Sequence, residues 1–374
     1  MKIIHTSDWH FGMPVGTGSY EEDQRFFLQQ LYDVLRQEKI DAVLLAGDVY
    51  DTSVTNAAAI NLYNEAVTTI CAELGIPMVV IAGNHDSAAR LAACRTLLRS
   101  AGLYVTGKLE RESEPVLLGS DTAVWPLPFF HKDEVAALYP EETIRTQEQA
   151  TNVVCDKIRA KMDPNRRNIV LAHAMIVNAE LSDSDRSARI GMATAVSADV
   201  FRGFDYVALG HIHKPQALAD HIRYSGSPLK YSFGGEERQE KGVVIVDTDT
   251  LEVRFRPLPL LRDRLTVSGT YEEILSREDL AEAYLRLEVT DRYAGLELWA
   301  DLQNRFPWLL ELRGKSFEER SQSTALTIEQ LHTMDETDIM QKFLEENFQY
   351  EPTKEQLDLF QQVLTWSQEE VDLG

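Results

Sequence analysis

Five short segments carry residue types that bind metal ions: Asp8-Trp9-His10, Gly47-Asp48-Val49-Tyr50-Asp51, Gly83-Asn84-His85-Asp86, a single His173, and Gly210-His211-Ile212-His213. Asp8, His10, Asp48, Asn84, His173, His211 and His213 together offer two carboxylates, one amide and four imidazoles. That mixed donor set suits Mn²⁺ or Fe²⁺ better than Mg²⁺, which prefers all-oxygen shells. No cysteine lies in these segments, and structural zinc would want thiolates. Two ions about 3.5–4 Å apart share a bridging carboxylate, lower the pKa of bound water and grip phosphoryl oxygens. The chemistry this implies is phosphoester hydrolysis. His85 adjoins Asn84 and is placed to stabilise developing charge or protonate a leaving oxygen. Asp51 and Asp86 read as supporting groups, with Asp51 alternatively the N-cap of the next helix.

Each segment alone has a plainer reading. Asp-x-His suits a strand-exit loop with a capping Asp, and a lone histidine after a strand is usually structural. The pattern gains weight because every segment follows an apolar run. Residues 2–7, 41–46, 77–82, 168–172 and 205–209 read as buried strands, and ligands collect at the carboxyl ends of strands in α/β sheets. Between them, Glu21–Gln37 has helical periodicity with Phe26, Phe27, Leu31, Val34 and Leu35 inward. Residues 57–74, 90–100 and 143–162 read as further helices, and 115–118, 122–125 and 127–130 as strands of a second sheet. Residues 178–198, with Asp183, Asp185, Arg186 and Arg189, form a polar loop whose length marks it as functional or mobile. A hairpin of 242–247 and 251–257 closes a domain spanning 1–260.

Beyond it, strands at 265–268, 284–289 and 308–312, with helices at 271–276 and 294–305, suggest a small α+β domain at 265–315. A linker at 316–323 and acidic helices at 327–331, 335–347 and 353–367 follow; the region 325–374 reads as a docking module or as helices packed on their own chain. The net charge of −23 is concentrated here. Residues 265–374 hold 9 Lys and Arg against 24 Asp and Glu, a net of −15, which leaves −8 for the rest. That balance argues against a chain gripping DNA unaided, because phosphate contacts need a basic surface. The N-terminus runs straight into a strand without a signal peptide, so the expected location is the cytoplasm, with no membrane span. Cys71, Cys94 and Cys155 are widely spaced and read as buried, reduced thiols.

The order Asp-x-His, Gly-Asp-x-x-Asp, Gly-Asn-His-Asp, His, Gly-His-x-His resembles the calcineurin-like metallophosphoesterases. Ser7-Asp8-Trp9-His10-Phe11-Gly12 and the stretch from Gly226 to Phe233 are similar to the SbcD family, nuclease subunits of bacterial SbcC–SbcD complexes. The resemblance implies a four-layer α-β-β-α sandwich with a smaller capping domain that seats DNA, and C-terminal helices that bind the coiled-coil arms of an SbcC-like ATPase. It implies a homodimer acting as a Mn²⁺-dependent DNA exonuclease and endonuclease at duplex ends or hairpins, in DNA repair and recombination. One ion would take Asp8, His10 and His213, the other Asn84, His173 and His211, with Asp48 bridging and His85 catalytic. Some relatives carry a second histidine where this chain has Asp51, and that role does not carry over. The alternatives are a small-molecule phosphodiesterase or nucleotide phosphatase, and a scaffold that only assembles a complex.

Overall fold

The central strands of this chain read as near-continuous apolar runs because both their faces are covered. In the computed structural model, which describes residues 1–185 and 194–314 with a few positions between 337 and 361, the elements alternate from the start. They run β1 (Lys2–Thr6), a hairpin of β2 (Pro14–Val15) and β3 (Gly18–Ser19), α1 (Glu21–Gln37), β4 (Ala42–Ala46), α2 (Ala57–Val67), β5 (Met78–Ile81) and β6 (Leu103–Thr106). There follow β7 (Val116–Leu118), β8 (Thr122–Leu127), β9 (Arg167–His173), β10 (Tyr206–Gly210), β11 (Gln216–Ala219), β12 (Ile222–Tyr224), β13 (Gly242–Asp247) and β14 (Val253–Pro257).

Two six-stranded sheets result, in the orders β14-β13-β1-β4-β5-β6 and β11-β12-β10-β9-β8-β7. Neighbours from β1 to β6 are parallel, as are β8, β9, β10 and β12, while β13 lies antiparallel to β1. Side chains alternate between faces with a period of two. Ile3, Leu44, Val79 and Ile81 therefore point inward to meet Ile169, Leu171, Tyr206 and Ala208 of the other sheet. Ile4, Val43, Leu45 and Val80 point outward into a core with α1 and α2. Val170, Val207 and Leu209 face the helix Gln147–Arg159 on the far side. The layers are thus α-β-β-α, as expected. One polar group crosses the inner layer. His5 bonds Tyr206 Oη through Nδ1 (3.0 Å) and the Leu209 carbonyl through Nε2 (3.0 Å). Burial pushes its pKa down to about 3, although the bond to Leu209 opposes the shift, so it stays neutral.

Four expectations need correction. Residues 90–100 are not one helix: Ala88–Leu91 and Arg95–Leu98 are separate turns, broken at Cys94, whose φ of 57° is left-handed. Cys94 is also exposed and Cys71 half-buried, leaving only Cys155 in the core. The run 127–130 is not a strand of its own, since β8 ends at Leu127 and the Phe129 amide instead donates to the Ala82 carbonyl (2.9 Å). In α1, Leu28 is buried and Phe26 only half so.

The chain divides into two units. The larger comprises Met1–Val267, Glu278–Arg286 and Phe306–Glu311; the smaller comprises Ser268–Arg277, Leu287–Arg305 and Leu312–Gly374. A three-stranded sheet, β15 (Arg264–Gly269), β16 (Tyr284–Val289) and β17 (Leu309–Gly314), coincides with the strands read near these positions, and each strand begins in the first unit and ends in the second. Within the smaller unit, Thr270 and Glu273 form a capping box on the helix Tyr271–Leu275, and Leu296–Arg305 is the second helix. The loop residues 186–193, the linker 316–323 and the helix 327–331 lie outside the described residues, as do most positions of 335–347 and several of 353–367. Among the described residues no helix is long and apolar enough to cross a membrane.

Candidate metal centre

The structure brings all seven proposed ligands to one edge of the two sheets. Asp8 and His10 follow β1, Asp48 follows β4, and Asn84 and His85 follow β5. His173 ends β9, and His211 and His213 follow β10 on the opposite sheet. Neither sheet carries the whole set. Close approach requires glycine at two exits. Between neighbouring strands of the first sheet, a Cβ on Gly83 would lie 2.1 Å from Asp48 Oδ1; between the two sheets, one on Gly210 would lie 1.9 Å from the Ala46 carbonyl oxygen. Four site residues accept left-handed backbone to face inward: Asp8 (φ 55°), His10 (44°), Asp48 (49°) and His211 (107°). Such conformations cost of order 1–3 kcal/mol each, and they gather at functional sites.

The donor atoms form clusters. Asp8, His10 and His213 make one, Asp48, His173 and His211 a second, and His10, Asp51 and His85 a third. Asp48 Oδ2 lies 3.8 Å from His10 Nε2, 3.5 Å from His173 Nε2 and 4.0 Å from His85 Nε2. It stands between the first two clusters, where a bridging carboxylate belongs. Asn84 Oδ1 is 2.9 Å from both His173 Nε2 and His211 Nδ1.

These contacts suit a cation. His213 gives its Nδ1 proton to Ser184 Oγ (2.7 Å), because that hydroxyl donates onward to Glu236 Oε2 (2.9 Å). The lone pair on His213 Nε2 then faces His10 Nε2 at 3.1 Å. A neutral His10 opposes lone pairs in either tautomer, at His213 through Nε2 or at the Asp51 carboxylate, 3.6 Å from Nδ1. His10 Nδ1 is buried without a hydrogen bond. A positive charge removes the conflict, whether an ion between the imidazoles or a second proton on His10, which burial opposes but Asp51, Asp48 and Asp8 favour. The second cluster has the same sign. Burial opposes charge on His173, yet Asp48 and Asp8 raise its pKa to about 9. Burial likewise opposes ionisation of Asp48, but His173, His10 and His85 hold it well below the usual carboxylate range. Burial lowers His211 to about 3, with His173 adding to the effect, and drives His213 far down, leaving both imidazoles neutral.

The supporting carboxylates act differently. Asp86 accepts from the amides of Gly83 (2.8 Å), Val49 (3.2 Å) and Tyr50 (2.9 Å), tying the β5 exit to the β4 exit. Asp51 receives the His85 Nδ1 proton on its carbonyl (2.7 Å), which turns His85 Nε2 toward Asp48. His85 keeps 32% of its side chain accessible, whereas Asp48 keeps 3%. His131 is exposed, although Phe129 bridges it to the site, edge-on at 5.0 Å to His131 and stacked on His211 at 6.5 Å.

Other residues at the site were not singled out from sequence. Gln24 Nε2 holds the His10 carbonyl (2.8 Å), and Tyr231 Oη holds that of Trp9 (2.7 Å). The Tyr231 ring lies 5.5 Å from His10 and 5.6 Å from His213. Only Tyr231 had a signal, since it falls in the Gly226–Phe233 stretch.

Comparison with known proteins agrees with this geometry. The family model for calcineurin-like phosphoesterases matches residues 1–215. The SbcD C-terminal model, described as type 5 capsule protein repressor C-terminal domain, matches residues 254–348. The chain is 37% identical over 279 residues to the SbcD subunit of the nuclease SbcCD from Staphylococcus epidermidis, covering 74% of each. It is 32% identical over 324 residues to the SbcD subunit of the same nuclease from Staphylococcus saprophyticus subsp. saprophyticus, covering 85% of this chain and 86% of that one. A fold that implies divalent metal, an edge where the donors for it converge, and relatives matched over most of their length agree that this chain belongs to the calcineurin-like phosphoesterase family, among its SbcD members.

Proposed function

We propose that the chain is the nuclease subunit of an SbcC–SbcD-type complex, cutting DNA phosphodiester bonds near duplex ends or in hairpins. The observation that carries this reading is the pair of donor clusters, Asp8, His10 and His213 in one and Asp48, His173 and His211 in the other, with Asp48 also 3.8 Å from His10 of the first. Asp8, His10 and His213 would hold one ion and Asn84, His173 and His211 the other, with Asp48 shared. Mn²⁺ is the first choice and Fe²⁺ or Mg²⁺ the alternatives, on the nitrogen content of the set. Bound ions would supply an activated water and neutralise phosphoryl charge. The chain itself orients that chemistry. Asp51 fixes the His85 ring through Nδ1, and in the doubly protonated imidazolium Nε2 carries a second proton that would pass to the leaving oxygen, leaving the neutral ring. Asp86 keeps the loops carrying Asp48 and Asn84 in register.

The relatives, named as SbcD subunits of the nuclease SbcCD, support a DNA substrate and an SbcC-like ATPase partner with coiled-coil arms. Residues 265–315 would seat DNA, and 325–374, within reach of the SbcD C-terminal match, would meet the partner. The net charge of −23 then fits a division of labour in which the partner supplies much of the DNA grip. A homodimer and a cytoplasmic location complete the proposal. The same charge favours a second reading, a phosphodiesterase of small nucleotide esters.

The test is cleavage of an end-labelled linear duplex in Mn²⁺ beside His85→Ala, with and without the ATPase and ATP. Label loss that requires both Mn²⁺ and His85 is expected. A purified complex that leaves every DNA form intact while hydrolysing a small nucleotide ester would replace the first reading with the second.

A further inference from the structure

His213 is held at every polar atom but one. Its amide donates to Asp185 Oδ1 (3.1 Å), and its carbonyl accepts from Lys241 Nζ (2.9 Å). Its Nδ1 proton goes to Ser184 Oγ (2.7 Å). Nε2 alone is uncommitted within its own surroundings, and it faces His10.

The anchor behind these contacts is a buried ion pair, Glu236 and Lys241, whose side chains are both fully inaccessible (0%/0%), at 2.7 Å. Glu236 Oε2 receives Ser184 Oγ, the amides of Tyr231 (3.1 Å) and Ser232 (2.7 Å), and Ser232 Oγ (2.7 Å). Lys241 also reaches Ser227 Oγ (3.0 Å) and Gln239 Oε1 (3.1 Å). Burying two charges is costly unless geometry and further hydrogen bonds offset desolvation. Here the offset is nearly complete, and its output is directed at one imidazole. Ser184 and Asp185 come from the polar loop beginning near residue 178, Glu236 and Lys241 from the segment after Tyr231. Two distant stretches of chain therefore converge on His213.

We propose that Ser184 and Glu236 are positioning residues for metal binding. They form a hydroxyl-bridged carboxylate relay that fixes the His213 tautomer with Nε2 bare, and so set the affinity of one of the two ion positions. The relay rests on the reading of His213 as a ligand. Histidine ligands commonly donate their second N–H to such partners, and loss of the partner typically costs about 10–100-fold in metal affinity. Without Ser184 the ring is free to place its proton on Nε2, which cannot then bind an ion.

The experiment is a Mn²⁺ titration of the full chain, reading free ion by electron paramagnetic resonance, on wild type, Ser184→Ala, Ser184→Thr and His213→Ala. His213→Ala checks the underlying reading and must lose one of two ions. Ser184→Ala should weaken one ion about 10–100-fold and leave the other within about twofold. Ser184→Thr, which keeps the hydroxyl, should restore the lost affinity. If His213→Ala loses an ion while Ser184→Ala binds both as wild type does, the relay is overturned and the ligand reading stands. Equal weakening of both ions by Ser184→Ala would also overturn it. If His213→Ala keeps both ions, the ligand reading falls and the relay with it.

Discussion

Replacing Gly210 with alanine tests whether the closeness of the two sheets holds the centre together. A Cβ there would meet the Ala46 carbonyl oxygen at 1.9 Å, its carbon at 2.9 Å and Ser7 Cβ at 3.0 Å. None of these is the tip of a flexible side chain. Ordinary contact begins near 3.4 Å, so the shortfall is about 1.5 Å and must be made up by parting β10 from β4. Gly210 does not lie in the left-handed region, and the effect is therefore steric alone. His211 and His213 move with β10, while Asp8, His10, Asp48 and Asn84 stay with the first sheet. Metal–ligand distances hold to within about 0.2 Å, so a displacement several times larger breaks both clusters. Overpacking of this kind also costs about 1–3 kcal/mol or more in stability. Gly210→Ala should then fail to hold ions at both positions at Mn²⁺ concentrations that saturate the wild type. The assay is a Mn²⁺ titration alongside thermal unfolding, with Gly295→Ala as control, since nothing lies within 4 Å of an added Cβ there. Gly210→Ala binding two ions within threefold of wild-type affinity would refute the reasoning.

His85→Ala should keep both ions and lose about 10²–10⁴ in hydrolysis rate, as removal of a general acid does; loss of an ion instead would reassign His85 as a ligand. Mn²⁺ at a hundredfold excess over Kd should raise unfolding free energy by about 2.7 kcal/mol per site, and a chelator should reverse it; an unfolding curve indifferent to both would deny the clusters their role. Burial opposes ionisation of Glu236, but Lys241, by charge and hydrogen bond, with Ser232, holds its pKa at about 2, against 4.5. A depressed folded pKa gives stabilisation that is complete above pH 4.5 and lost as pH falls through 2, worth about 3 kcal/mol. Urea unfolding across that window should therefore steepen with acid in wild type more than in Glu236→Gln, and parallel curves would contradict the assignment.

The ligand-bearing strand exits were legible because each buried strand is apolar at successive positions and ends abruptly in polar residues. Their meeting was legible only through the order of motifs, since periodicity says nothing about which strands lie side by side. β6 illustrates the limit: Leu103–Thr106 joins the first sheet, while Val116–Leu118, a few residues on, joins the second. The broken helix at Cys94 had no Gly or Pro to announce it. The left-handed backbone at Asp8, His10, Asp48 and His211 is imposed by the tertiary site, not by local preference. Ser184, Glu236 and Lys241 escaped because a buried ion pair between residues five apart, bridged to a serine 52 residues away, leaves no local pattern.

The order of the first sheet has a consequence for how this protein is made. β1 is flanked by β4, which emerges early, and by β13, Gly242–Asp247, which emerges some two hundred residues later. During synthesis the strand that carries Asp8 and His10 waits with one edge open, while the second sheet must still deliver His211 and His213. A nascent chain shorter than about 250 residues thus has neither a sealed first sheet nor its Lys241 anchor. Domains fold largely as units as they leave the ribosome, so hydrolytic capacity would arrive late and all together. A chain that completes its donor set this late cannot assemble the centre while its last strands are still inside the ribosome.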